Sequence, residues 1–167
     1  MLVGVLRLHD AVTRLTFWMA AAAVAYLTVV TAVEVGARYL FRAPSGWAPD
    51  TTAVSFAFIA FLAAPEVTRQ SGHAAMTFIV ERSTPVVASL LRRLSLALSI
   101  LVCLLLAWYG VMESARQIQG NITMIAVLPI PKWIVTLSIV YGLTGMALYF
   151  LRSLVGTFRP VHGKGNR

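Results

Sequence analysis

Residues 15–40 read LTFWMAAAAVAYLTVVTAVEVGARYL, and no charged side chain interrupts the run before Glu34. An apolar stretch of about 18 or more residues crosses the hydrocarbon core as a helix. Helix is the expected form because a spanning helix satisfies its own backbone hydrogen bonds in lipid. A cleaved signal peptide is the competing reading, since the alanines at 20–23 suggest a processing site. The run continues well past the usual core of about 7–15 residues in such peptides, so a retained helix is expected.

Three further apolar blocks follow, at 53–67, 94–111 and 133–151. With its polar flanking turns the second of these spans about 50–68, and the chain reads as one all-α integral membrane unit over 1–167 with four transmembrane helices. Composition agrees: 59% hydrophobic against 12% charged is too apolar for a soluble domain of this length. The single cysteine, Cys103, lies inside a block and cannot form an intrachain disulfide.

The net charge is +8, but the basic residues punctuate the ends of the blocks instead of interleaving with aromatics as on a nucleic-acid surface. With the N-terminus in the cytoplasm, the inner side receives Arg7, Arg14, Arg69, Arg82, Arg92, Arg93, Arg152, Arg159, Lys164 and Arg167. The outer side then receives only Arg38, Arg42, Arg116 and Lys132, and ten against four is a positive-inside bias. Both termini are therefore expected in the cytoplasm.

Ahead of the first span, Arg7, Asp10 and Arg14 share one helical face and Val5, Leu8, Val12 and Leu15 the other. This pattern fits either a short amphipathic lead-in on the cytoplasmic surface or an inward extension of helix one. The connection over 69–93 has an apolar centre at 76–80 and is expected to lie in the interface. The first outer loop carries Pro44, Gly46 and Trp47, after which Pro49 and Asp50 suit a first helical turn. The second ends in Leu128-Pro129-Ile130-Pro131-Lys132-Trp133, a stiff lead into helix four.

Glu34 and Arg38 stand four apart with the acid first, the order that favours a helical ion pair. An isolated charge inside a span costs about 2.5–3.5 kcal/mol on insertion scales, so Glu34 is either a coupled site or a paired group near the interface. The pair favours the structural role, with Arg38 snorkelling outward. Ala21, Ala25, Thr28, Ala32 and Gly36 form a small-residue stripe nearly opposite this pair, where another helix backbone can approach. Ser138, Gly142 and Gly145 offer a second such face on helix four. One face of helix one packs within the unit; the other needs a partner or the interface.

His9, His73 and His162 all fall outside the expected spans, which argues against a haem held between facing helices. The sequence offers no Cys/His zinc spacing, no phosphate-binding glycine loop and no activated nucleophile. Neither an enzyme nor a cofactor is expected.

In their order, several short pieces resemble the small membrane subunit (DctQ-like) of tripartite ATP-independent periplasmic (TRAP) transporters. They are Glu34-Val35-Gly36-Ala37-Arg38-Tyr39-Leu40-Phe41, then Pro44 and Trp47, Arg69 and Gly72-His73, Glu81-Arg82 and Pro85, and Ile130-Pro131 with Trp133. The chain departs from the family pattern at Asp50, Thr77, Ala63 and Val140. The resemblance implies a bacterial inner-membrane scaffold beside a large multi-span subunit, which holds the substrate and sodium sites and moves by an elevator-like mechanism. It also implies docking of a periplasmic substrate-binding protein that delivers an organic acid. Candidate contacts to partners or to the interface are Trp47, Asp50, Arg69, His73, Pro131 and Trp133. Two other readings remain open: a small homodimeric exporter using Glu34, and an accessory subunit of another membrane complex.

Overall fold

The computed structural model describes residues 2–42, 45–71, 85–124, 127 and 129–157. Four helices make up nearly all of it: α1 (Leu2–Leu40), α2 (Ala48–Ser71), α3 (Pro85–Gln119) and α4 (Lys132–Thr157). All four are long and apolar enough to cross a membrane, and the chain is a multi-pass membrane protein. His73 and the apolar centre of the 69–93 connection lie outside the described residues.

The helices outrun the apolar blocks that announce them. At 1.5 Å per residue α1 is about 58 Å long and α3 about 52 Å, against roughly 30 Å of hydrocarbon. The extra length is polar-flanked helix at 2–14, 85–93 and 112–119. The amphipathic lead-in is thus continuous with the first span, the extension alternative. Helical propensity carries each element past the lipid boundary because Arg, Glu, Gln and Leu are all good helix formers.

The main packing runs α1 on α2, α2 on α4, and α4 on α3, and side chains near the start of α1 also reach α4. The helices therefore follow the packing order α1–α2–α4–α3, a row in which α1 and α3 are the least enclosed and α1 is tied to α4 at one end. Burial follows that order: 11% of the spanning window of α1 and 17% of that of α3 is buried, against 22% for α2 and 28% for α4. A small core of Cys103, Ala107, Leu143 and Ala147 fills the α3–α4 contact, with Ile139, Met146 and Phe150 against it.

Glycines set the tightest contact. A Cβ on Gly142 would lie 2.5 Å from the carbonyl oxygen of Phe61, and one on Gly145 would lie 2.7 Å from Cγ of Pro65. Helices α2 and α4 touch here nearly backbone to backbone, and Ser138 is buried one turn earlier on α4. The stripe on α1 behaves differently. Ala21, Ala25, Thr28 and Ala32 are exposed, and a Cβ on Gly36 would meet nothing within 4 Å, so the stripe packs against none of the described helices. Inward-facing instead are Thr13, Ala20, Ala23, Leu27, Val30 and Glu34. Their steps of three to four residues, apart from the first, mark a second seam that buries more apolar volume than the alanine stripe.

Candidate partner-docking surface

Two polar zones cap the row, one at each end. The loop end is built by the turn between α1 and α2 and by the return from α3 to α4. Glu34 sits in the last two turns of α1 and accepts from Arg38 Nη2 at 3.2 Å. Beyond the end of α1, Ser45 bends back, donating its backbone N–H to Glu34 Oε2 at 3.1 Å and its hydroxyl to the same oxygen. The Glu34 side chain is 12% exposed and that of Arg38 58%, so the acid is enclosed while the base reaches outward. Glu34 thus fastens the α1–α2 turn to its own helix. Beside it a groove of about 290 Å³ between α1 and α2 is lined by Glu34, Arg38, Tyr39, Pro49 and Thr52 among others.

Asp50 lies in the first turn of α2, and its Oδ2 accepts the backbone N–H of Val127 at 2.7 Å. The α1–α2 turn is thereby tied to the return between α3 and α4. Val127 also faces Gly46, where a Cβ would lie 3.4 Å from the valine methyl. The return itself is braced by Met124 N–H to Ile130 O at 2.9 Å, Lys132 N–H to Ile122 O at 3.2 Å, and an isolated bridge between Thr123 and Pro131. It starts from Asn121, which ends α3 in the left-handed conformation at φ 47° that asparagine tolerates well. Gln117, buried at the end of α3, accepts from the Thr136 hydroxyl at 2.9 Å and so joins α3 to α4. Glu113 and Arg116 pair on the outside at 2.7 Å. Trp47 is exposed, while Pro131 and Trp133 are half-buried beside the braced return. The structure thus gathers Glu34, Arg38, Trp47, Asp50, Pro131 and Trp133 at one end.

Arg69 lies at the opposite end, level with the start of α1 and the end of α4. There it pairs with Glu66 through two contacts, one of them Nε to Oε2 at 2.8 Å, and Gln70 donates to the same carboxylate at 3.0 Å. Glu66 is only 3% exposed. Next to this cluster α4 reaches across to α1. Arg152 Nη1 donates to Asp10 Oδ1 at 2.6 Å, the Tyr149 hydroxyl donates to the same oxygen at 2.8 Å, and Thr13 and Tyr149 share a hydroxyl contact at 2.8 Å. The Arg152 guanidinium sits 4.9 Å above the Tyr149 ring. One turn deeper, Thr16 and Tyr141 meet at 2.8 Å. Among the described residues no buried side-chain nitrogen or oxygen lacks a hydrogen-bond partner.

Sequence reasoning singled out neither Glu66 nor the Asp10–Tyr149–Arg152 group. Glu66 carried a signal, since it precedes Arg69 by one turn just as Glu113 precedes Arg116. The contact from Asp10 to Arg152, 142 residues apart, has no local signature.

The family model described as "Tripartite ATP-independent periplasmic transporters, DctQ component" matches residues 27–160. No curated protein matches the chain.

Proposed function

The chain belongs to the DctQ family, the small-subunit component of tripartite ATP-independent periplasmic transporters, and from that premise we propose that it is a scaffold that does not itself bind the transported solute. It holds a large transport subunit in the bacterial inner membrane and helps dock a periplasmic binding protein for sodium-coupled uptake of an organic acid. The observation that carries this reading is the distribution of charge along the helices. No Asp, Glu, Lys or Arg occurs in 15–33, 51–65, 94–112 or 133–151, the central stretch of each span. A coupled anion-and-cation site normally sits near the bilayer midplane at broken helices, and α1 to α4 are each continuous there.

The row supports the scaffold role. It presents two broad apolar faces, with exposed Val29, Val33, Leu98, Leu101 and Leu105 among the groups that need lipid or a partner. The small stripe on α1 is then available to a helix of the large subunit. The loop end is braced by Glu34, Asp50 and Gln117, giving a fixed surface around Trp47, Pro131 and Trp133 for a soluble partner. Orientation follows the basic asymmetry, with both termini in the cytoplasm.

Copurification with the large subunit, then uptake into liposomes with each component omitted in turn, tests the assignment. Uptake is expected only with all three components, and sodium-driven uptake by this chain alone overturns the reading. Single-cysteine labelling at Ser71→Cys, on a Cys103→Ala background, tests orientation; labelling from the periplasmic side reverses it.

A further inference from the structure

At the end where α1 starts, the outward side of α1 borders a groove of about 460 Å³ lined by Arg7, Asp10, Ala11, Arg14, Leu15 and Trp18. Helical spacing puts these groups on one face, and both arginines are exposed. Among the described residues neither Arg7 nor Arg14 makes a hydrogen bond or close ion pair, the Arg14 charge reaching Glu66 only at longer range, whereas Arg38, Arg69, Arg116 and Arg152 all pair directly with carboxylates. The groove's own acid does not neutralise them, because Asp10 is held on its α4 side by Arg152 and Tyr149.

Depth adds a second constraint. Arg14 is the last charge before the apolar run, and Trp18, 66% exposed, lies one turn inside it at the level where interfacial tryptophans sit. Arg7 stands about 10 Å farther out along the axis. The two guanidiniums therefore bracket a headgroup layer that is roughly 5–8 Å thick on each side of a bilayer. Leu15 and Trp18 give the deeper part of the groove an apolar wall. Guanidinium groups above an apolar wall at this depth match a phosphate joined to an acyl chain.

We propose that this groove is a binding site for the headgroup of an anionic phospholipid, with Arg7 and Arg14 on the phosphate and Leu15 and Trp18 against the first methylenes. The site is separate from the scaffold surfaces proposed above. It rests on that reading only for the leaflet, which is the cytoplasmic one if the termini are cytoplasmic. Basic side chains at such a boundary draw anionic lipid. Here their fixed positions on a continuous helix, next to an acid already neutralised, turn general attraction into a defined site.

The test uses the full chain with Trp47, Trp108 and Trp133 changed to Phe, so that Trp18 alone fluoresces. It is placed in nanodiscs of phosphatidylcholine containing increasing brominated phosphatidylglycerol or, in parallel, brominated phosphatidylcholine. Trp18 is expected to be quenched at clearly lower mole fractions of the brominated phosphatidylglycerol. The preference should fall by about five-fold for each arginine changed to Gln, and persist in Arg7→Lys/Arg14→Lys. Inorganic phosphate in the buffer should not displace the lipid. Equal quenching by the two lipids overturns the proposal, as does a preference untouched by the Gln variants. Displacement by inorganic phosphate overturns it in favour of a soluble anion. Absence of quenching also overturns it. The readout reports from either leaflet, so a reversed topology and a missing lipid site give different results.

Discussion

The two ends of the row each hold carboxylates against arginines, but they use them differently. At the loop end Glu34–Arg38 and Glu113–Arg116 are pairs within one helix, with exposed bases. At the other end, where α1 starts and α4 finishes, Asp10–Arg152 joins the first helix to the last, and Glu66 is almost fully enclosed. Exposed pairs within a helix contribute little to stability, whereas removing one partner of a buried pair leaves a charge without solvent or counterion. The stability of the row is thus expected to reside at the end where α1 starts, and the loop end to be shaped for presentation.

The largest expected effect tests the buried acid. Arg69→Ala leaves the enclosed Glu66 with only Gln70 as its hydrogen-bond donor; although Arg69 itself is over a third exposed, unfolding in detergent should show a loss of about 3 kcal/mol, the upper figure for an under-satisfied buried acceptor. A loss no greater than that from an exposed pair removes the contrast between the ends.

Gly142→Ala probes the centre, where the ends are joined. The added methyl meets backbone at Phe61, which no rotamer change relieves, so α2 and α4 must separate. Overpacking of this kind costs typically 1–3 kcal/mol, and a thermal shift should report about 2 kcal/mol. An unchanged melting temperature indicates that the helices slide freely past one another.

Tyr149→Phe removes the hydroxyl shared by Thr13 and Asp10 while keeping the ring under Arg152. The expected loss is about 1–1.5 kcal/mol. A double-mutant cycle with Thr13→Val should show coupling between α1 and α4, and strict additivity dismisses the tether.

The smallest effect is expected at the loop end. Glu34→Gln retains an acceptor for Ser45 and loses only a partly exposed ion pair, so the melting temperature should fall only slightly, less than for any of the other three variants. Substantial uptake should remain in the complete reconstituted transporter. Lost uptake with intact assembly restores a coupled-site role for Glu34. Glu34→Ala, which also releases the turn at Ser45, should lower assembly further.

The four spans were legible because apolar length is a property of composition, visible in 15–40 without knowledge of any neighbour. Helix ends were less so: Arg92, Arg93, Glu113 and Gln117 suit a helix leaving the bilayer as well as a loop beginning there. The spacing of Glu34 and Arg38 made that pair readable from local geometry, and Gly142 and Gly145 were readable as small residues on one face. The inward seam of α1 was harder. Both its faces had reasons to avoid lipid, and only the arrangement with α2 decides between them. Asp10 with Arg152 depends wholly on which helices become neighbours, and no spacing encodes it.

The extended packing order also leaves much of every helix facing the acyl chains. A closed bundle hides part of every helix from the acyl chains, whereas a row is wetted along both of its long sides. When another membrane protein lies along one side, that whole strip of lipids returns to the bulk bilayer and the other strip stays. Association then depends on how willingly those molecules leave, so membrane thickness and chain order enter the assembly equilibrium directly, alongside any contact between the proteins.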